Sequence, residues 1–291
     1  MESIFTQLNQ NPALLYFTVV IFGLTVGSFF NVVIFRMPKI LEQEWRAQCA
    51  ELMEQELPGD QPKITLSTPA STCPKCGHRI KPWENIPVVS YLALGGKCSA
   101  CKTRISMRYP IIEVITAILA TVVVCQFELS WIGLAAIAFS WALLVLSMID
   151  FDTQLLPDII TLPLLWVGLL VNTQGFFTSL EEAVWGAVLG YMALWSVYHL
   201  FKLITGKEGM GFGDFKLLGA LGAWLGWKML PLIILLSSLV GAIVGLLLIA
   251  VMGRDKNIPI PFGPYLAAAG WIAMMWGDDI VSGYLNLLNP S

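Results

Sequence analysis

Long uncharged apolar runs separated by short polar breaks dominate the chain. Neutral stretches extend from Glu2 to Arg36, Glu128 to Asp150, Asp158 to Glu181, Glu182 to Lys202, Lys228 to Arg254 and Lys256 to Asp278. Most can cross a hydrocarbon layer of roughly 30 Å, which takes about 20 helical residues. Two further spans carry charge near their starts: Pro110 to Phe127 contains Glu113, and Met210 to Trp227 contains Asp214 and Lys216. The pattern predicts eight transmembrane helices. Between the first and second it predicts a polar domain, helical over the Glu-rich stretch Leu41 to Leu57 and extended from Pro58 to Ser71, where Pro, Ser and Thr accumulate.

Composition agrees with a lipid solvent: 56% of the residues are hydrophobic and only 13% charged, which is far from an ordinary soluble domain. The distribution of Lys and Arg then orients the chain, because basic residues collect in cytoplasmic loops. Eleven of the seventeen lie between Arg36 and Arg108. With that segment cytoplasmic, eight spans place Lys202, Lys207, Lys216, Arg254 and Lys256 on the same side and only Lys228 outside. The first fifteen residues lack Lys and Arg, so the first span reads as an uncleaved anchor with its N-terminus outside. Asp150 and Asp214 are then expected at cytoplasmic helix ends.

The polar domain contains Cys73-Pro74-Lys75-Cys76 and Cys98-Ser99-Ala100-Cys101, two C-x-x-C pairs separated by 21 residues. Each pair forms a knuckle that aims two thiolates at one ion, and two knuckles complete the closed tetrahedral coordination of a structural zinc site. Cys73, Cys76, Cys98 and Cys101 are therefore the expected metal ligands; a disulfide or redox role is the alternative, disfavoured in a reducing compartment. Cys49 and Cys125 have no partners in the pattern, and His78 reads as a surface residue or one that supports the ligands. The expected fold class is an all-α polytopic membrane protein with a small cytoplasmic zinc-ribbon-like domain between helices 1 and 2. Its parts are an anchor over 1–36, a zinc-binding domain over 37–109 and a seven-helix membrane domain over 110–291.

An ionisable group kept inside a membrane segment is costly and points to function. Of the carboxylates at the end of the third span and beyond it, Asp158 beside Pro157 suits a helix N-terminus, Asp152 lies further into the loop, and Asp150 directly closes the apolar run. Asp214 comes after Gly209, Gly211 and Gly213, which remove side chains around it; the alternative for it is a helix cap, with Lys216 as an interfacial anchor. Asp150 and Asp214 are the expected catalytic pair. Two close carboxylates share a proton, giving one base to activate water and one acid to polarise a carbonyl and protonate a leaving amine. The chain has no G-x-S-x-G elbow, no H-E-x-x-H motif and only two His, so serine-triad and zinc-protease mechanisms lack their parts.

Several motifs, in order along nearly the whole chain, resemble those of the bacterial type IV prepilin peptidases. They are Gly27-Ser28-Phe29-Phe30-Asn31-Val32-Val33-Ile34-Phe35-Arg36-Met37-Pro38, the paired C-x-x-C, Arg108-Tyr109-Pro110, the Asp150 segment through Pro157-Asp158, Gly211-Phe212-Gly213-Asp214 and Pro261-Phe262-Gly263-Pro264. The resemblance implies a bifunctional enzyme of the bacterial inner membrane. Such an enzyme cuts the basic leader from prepilins and type II secretion pseudopilins after a Gly and then methylates the new N-terminal amine with S-adenosylmethionine. It also implies that Asp150 and Asp214 are the catalytic acids and that the four cysteines bind zinc. No G-x-G-x-x-G motif succeeds a strand, so any S-adenosylmethionine pocket is unconventional and its residues are not assigned. No nucleic-acid partner is expected.

Three other readings predict different features. An ion-coupled transporter calls for paired discontinuous helices and an inverted repeat, which the sequence does not contain. A scaffold that recruits partners through the zinc ribbon would leave both aspartates dispensable. A peptidase without methyl transfer, as in archaeal relatives, is expected to lack the zinc-bearing insertion.

Overall fold

The computed structural model of the chain describes residues 2–54, 63–252 and 260–288. Arg254, Lys256 and the junction 55–62 between the Glu-rich and extended stretches lie outside them. Among the described residues the architecture is all-helical, with only two isolated bridges, Thr72 to Arg79 and Lys97 to Arg104. The helices are α1 (Glu2–Asn9), α2 (Pro12–Leu52), α3 (Val89–Ala93), α4 (Arg108–Phe127), α5 (Trp131–Thr153), α6 (Asp158–Asn172), α7 (Leu180–Thr205), α8 (Phe212–Leu225), α9 (Leu230–Met252) and α10 (Gly263–Leu288). Apolar helices thus occupy all eight expected positions. Among the described residues five are long and apolar enough to cross a membrane: α2, α4, α5, α7 and the segment around α9. The protein is a multi-pass membrane protein. Its chain forms two compact units, Met1–Gly133 and Leu134–Ser291.

In the first unit α2 starts where Asn11 caps it, its side chain accepting from Leu14 N, with Pro12 preset for the first turn. The helix does not stop at the polar boundary. It runs 41 residues through Arg36 and Pro38, about 60 Å at 1.5 Å per residue, so its second half continues beyond a bilayer. Gly23 and Gly27 lie against the backbone of Ala117 and Glu113 on α4, a small-residue seam that lets two membrane helices approach closely. Polar side chains fasten the segments beyond this seam. Asn31 donates to Tyr109 O at 3.1 Å, and buried Arg36 donates to the carbonyls of Thr65, Leu66 and Pro69, clasping the extended connection. Glu113, buried in α4, accepts from Val88 N at 2.8 Å and from the Ser28 hydroxyl. Val88 needs such a partner, because a β-branched residue at φ +59° carries strain of about 1–3 kcal/mol.

The second unit is organised around α8. Every residue from Leu217 to Leu225 is buried, so this 14-residue helix, about 21 Å long, has no face for lipid. Hydrophobic all round, it is an internal helix. Gly186 of α7 and Gly222 of α8 meet backbone to backbone, and a methyl group on either would overlap the other's carbonyl. On the α6 side, Trp224 donates to Leu164 O at 2.8 Å and Asn172 donates to the carbonyls of Ala223 and Trp224, satisfying the end of the buried helix. Phe139 of α5 stacks on Trp224, and Leu221 packs against Gly270 of α10. A Gly222→Leu substitution must therefore separate α7 from α8. The expected outcome is a loss of about 1–3 kcal/mol or more, read as a lowered thermal midpoint of the detergent-solubilised protein, whereas Leu239→Ala on the exposed side of α9 should leave the midpoint unchanged.

Candidate active site and metal centre

Both expected acids sit at helix ends of the second unit. α5 terminates because Gln154 adopts φ +55°, with its N–H bonded to Asp150 O, and this leaves Asp150 in the last turn. The Asp150 side chain is 5% exposed, and its Oδ2 accepts from Gly263 N at 3.0 Å. That amide is the first of α10, so the carboxylate faces the positive end of a helix. Asp214, 7% exposed, lies in the first turn of α8 and accepts a hydrogen bond from Gly211 N. The helix cap is Gly211 itself, and Asp214 reaches back to it from three residues on, which is half of a capping box. The capping role weighed for Asp214 thus coexists with burial beside a second acid.

The structure brings the two carboxylates within electrostatic reach of each other. Leu156, in the loop after α5, forms the common wall: a methyl on Gly213 would lie 2.7 Å from its Cβ, and one on Gly263 would lie 3.2 Å from its Cδ2. Gly263 has no room for a side chain, since its methyl would approach Asp150 Oδ2 to 2.7 Å. Sequence reasoning assigned no role to this residue; the Pro261-Phe262-Gly263-Pro264 quartet was the available signal. Asp158, in the first turn of α6, is half of an ion pair, with Lys216 donating to both its oxygens at 2.7 Å. That pair ties the start of α6 to the start of α8. Asp152 is exposed on the last turn of α5. Glu113 belongs to the first unit, where it holds Val88.

In the polar domain Cys73, Cys76, Cys98 and Cys101 bring their sulfurs within 4.8 Å of one another, close enough to share one metal ion. Zn–S bonds of about 2.3 Å in a tetrahedron require sulfurs about 3.8 Å apart. The Cys73–Cys101 and Cys76–Cys98 separations are 3.8 and 4.0 Å. The donor set and geometry fit a four-thiolate ion. The two knuckles repeat one design. Cys73 N bonds His78 O and Cys98 N bonds Thr103 O, and the residue after each second cysteine has positive φ, Gly77 at +69° and Lys102 at +59°. Hydrogen bonding with the Thr103 side chain and amide pulls the Cys101 thiol down to about 6, while Cys76 is pushed up to about 11; a metal ion would require all four sulfurs as thiolates. His78 is not among the ligands: its Nε2 lies 3.2 Å from both Glu84 Oε2 and Ser99 Oγ. Glu84, held at about 2 first by Lys81 N–H and then by Ser99 and His78, braces the first knuckle against the second.

A helical membrane protein with an enclosed pair of aspartates and a four-cysteine ribbon is a narrow class, and comparison with known proteins assigns it. The family model for the bacterial peptidase A24 N-terminal domain matches residues 21–127, and that for the type IV leader peptidase family matches residues 137–246. The chain belongs to the type IV leader peptidase family. It is 54% identical to the prepilin leader peptidase/N-methyltransferase of Pseudomonas aeruginosa over 96% of both chains. To the proteins of the same name from Pseudomonas putida and Legionella pneumophila it is 52% and 46% identical, over 98% and 94% of this chain and 99% and 96% of theirs. No solved structure matches the chain significantly.

Replacing Cys73 and Cys76 together by Ser removes half of the donor set. The expected outcome is loss of protein-bound metal by elemental analysis and new tryptic cleavage within 72–104, with the second unit intact. Full metal content in that variant would exclude the four-cysteine centre.

Proposed function

We propose that this chain is a bifunctional enzyme that cleaves the leader from type IV prepilins and type II secretion pseudopilins and then N-methylates the exposed residue. The observation that carries the peptidase reading is the enclosed Asp150–Asp214 pair, held by two backbone amides at the ends of packed helices. One carboxylate removes a proton from water as it attacks the scissile carbonyl, while the other, protonated, gives its proton to the carbonyl oxygen; on collapse the first passes the water's proton to the departing amine and the second recovers its proton from a hydroxyl of the tetrahedral intermediate. No covalent intermediate is needed. Gly263 N–H fixes Asp150, and Gly211 N–H at the start of α8 fixes Asp214, so neither group must be ordered during the reaction.

The names of the close relatives support the second activity. S-adenosylmethionine, when bound, supplies the methyl group for the new N-terminal amine. Zinc is the ion that suits the four thiolates, in a structural role that keeps both knuckles in place. In this reading 1–36 is the anchor, 37–109 the cytoplasmic zinc-binding domain and 110–291 the membrane domain of an inner-membrane protein. The Lys and Arg bias supports a cytoplasmic placement of the zinc-binding domain and of both aspartates. That is where a basic leader joined to an apolar stalk presents its scissile bond.

Asp150→Asn and Asp214→Asn are nearly isosteric but cannot cycle a proton. Each is expected to slow leader removal by about 100-fold or more, measured by mass shift of a purified prepilin in detergent, while methylation of pre-cut substrate persists. Normal cleavage by either variant removes that residue from the reaction. Gly263→Ala should also impair cleavage without abolishing methylation, because its methyl displaces the Asp150 carboxylate.

A further inference from the structure

Trp83, Ile86, Val89 and Leu92 recur at every third position along the short 3-10 turn Pro82–Asn85 and α3, and they are 64%, 47%, 60% and 71% exposed. Val88 at φ +59° separates the 3-10 turn from α3, so the four do not share one helical face; what the segment offers is four large apolar side chains left open within ten residues, an apolar stripe along the chain that needs a partner. Its height relative to the membrane is fixed by its own chain. Val88, between Ile86 and Val89, is hydrogen-bonded through its N–H to Glu113. Glu113 is five residues beyond the start of α4, a helix long and apolar enough to span a bilayer. At 1.5 Å per residue Val88 is therefore level with a point about 5–7 Å past the start of that span, counted from Pro110 or from Arg108.

Segments that lie in the membrane plane bury their apolar face about 5–10 Å into the headgroup and acyl boundary. The depth of the stripe falls in this interval. At the same level α4 exposes Ile111, Val114 and Ile115, the apolar surface a spanning helix presents to lipid. Lys81 Nζ lies 5.4 Å from the Trp83 ring centroid, which puts a cation beside an aromatic ring, the pairing that marks a membrane–water boundary. A soluble partner would have to reach the stripe at a depth already taken by headgroups.

We propose that residues 83–92 form an interfacial anchor. The stripe inserts into the bilayer that α4 crosses, and the Glu113 to Val88 hydrogen bond sets its depth. The four-cysteine ribbon that flanks the segment in sequence is thereby kept at the membrane surface and does not swing on a tether.

The test uses the full chain in nanodiscs of phosphatidylethanolamine and phosphatidylglycerol, with a genetically encoded environment-sensitive fluorophore at Leu92, at Val89 or at Lys75, all exposed positions. At Leu92 and Val89 the expected signals are blue-shifted emission, loss of intensity with doxyl-labelled lipid and protection from aqueous iodide. At Lys75, on the first knuckle, iodide should quench and doxyl lipid should not. Two results overturn the proposal. One is iodide quenching at Leu92 and Val89 equal to that at Lys75. The other is iodide protection without doxyl quenching, which would mean that protein covers the stripe.

Discussion

The burial of α8 from Leu217 to Leu225 is the constraint on which the rest of the second unit depends. A helix of 14 residues is too short to satisfy a bilayer by itself, and one that is apolar on every side gains nothing by facing lipid alone. It is held by close approach: the Gly186–Gly222 backbone contact with α7, the Asn172 and Trp224 hydrogen bonds with α6, and Phe139 and Gly270 at its remaining sides. Asp214 is attached to the first turn of this helix. Its position is therefore a property of the whole packed unit and not of a loop.

Asp150 is fixed by a different device, the end of one helix meeting the beginning of another. Gln154 ends α5, Gly263 opens α10, and the first amide of α10 points at the carboxylate. Leu156 fills the space between the Gly213 and Gly263 walls, so the loop that separates Asp150 from α6 is also part of the enclosure. The Lys216–Asp158 ion pair closes the same end of the unit from the α6 side. Each acid thus has a helix terminus as its support, the start of α10 for Asp150 and the start of α8 for Asp214.

In the first unit polar residues placed inside or just beyond apolar helices tie the peripheral segments down. Glu113, Asn31 and Arg36 would each be expensive in lipid without partners. Each instead holds a backbone group: Val88 N, Tyr109 O and the carbonyls near Pro69. The four-cysteine ribbon, built from two nearly equivalent knuckles, hangs between these fixed points. Polar residues at the ends of apolar helices thus hold backbone groups in the first unit and form a buried acid pair in the second.

Signals carried by neighbouring residues were legible in the chain itself. Long uncharged runs located all eight apolar helices, because a backbone in apolar surroundings satisfies its polar groups as a helix; that five are long enough to cross a membrane while α8 is short and enclosed by protein was decided by packing. The paired C-x-x-C spacing pointed to the four-sulfur cluster, because a knuckle is a local turn. Asp150 and Asp214 stood out because a charge at the margin of an apolar run is costly wherever it ends up. The tertiary structure alone decided which distant residues complete each feature. Gly263 meets Asp150 across 113 residues, Lys216 pairs with Asp158 across 58 and Glu113 reaches Val88 across 25. Neither the uninterrupted run of α2 through Pro38 nor the exposure of the Trp83 to Leu92 stripe could be read in advance. A proline is compatible with either a break or a costlier continuation, and an apolar residue in sequence does not state whether protein or lipid will cover it. Contacts between remote segments are set by packing and closure of the whole chain, which no local pattern encodes.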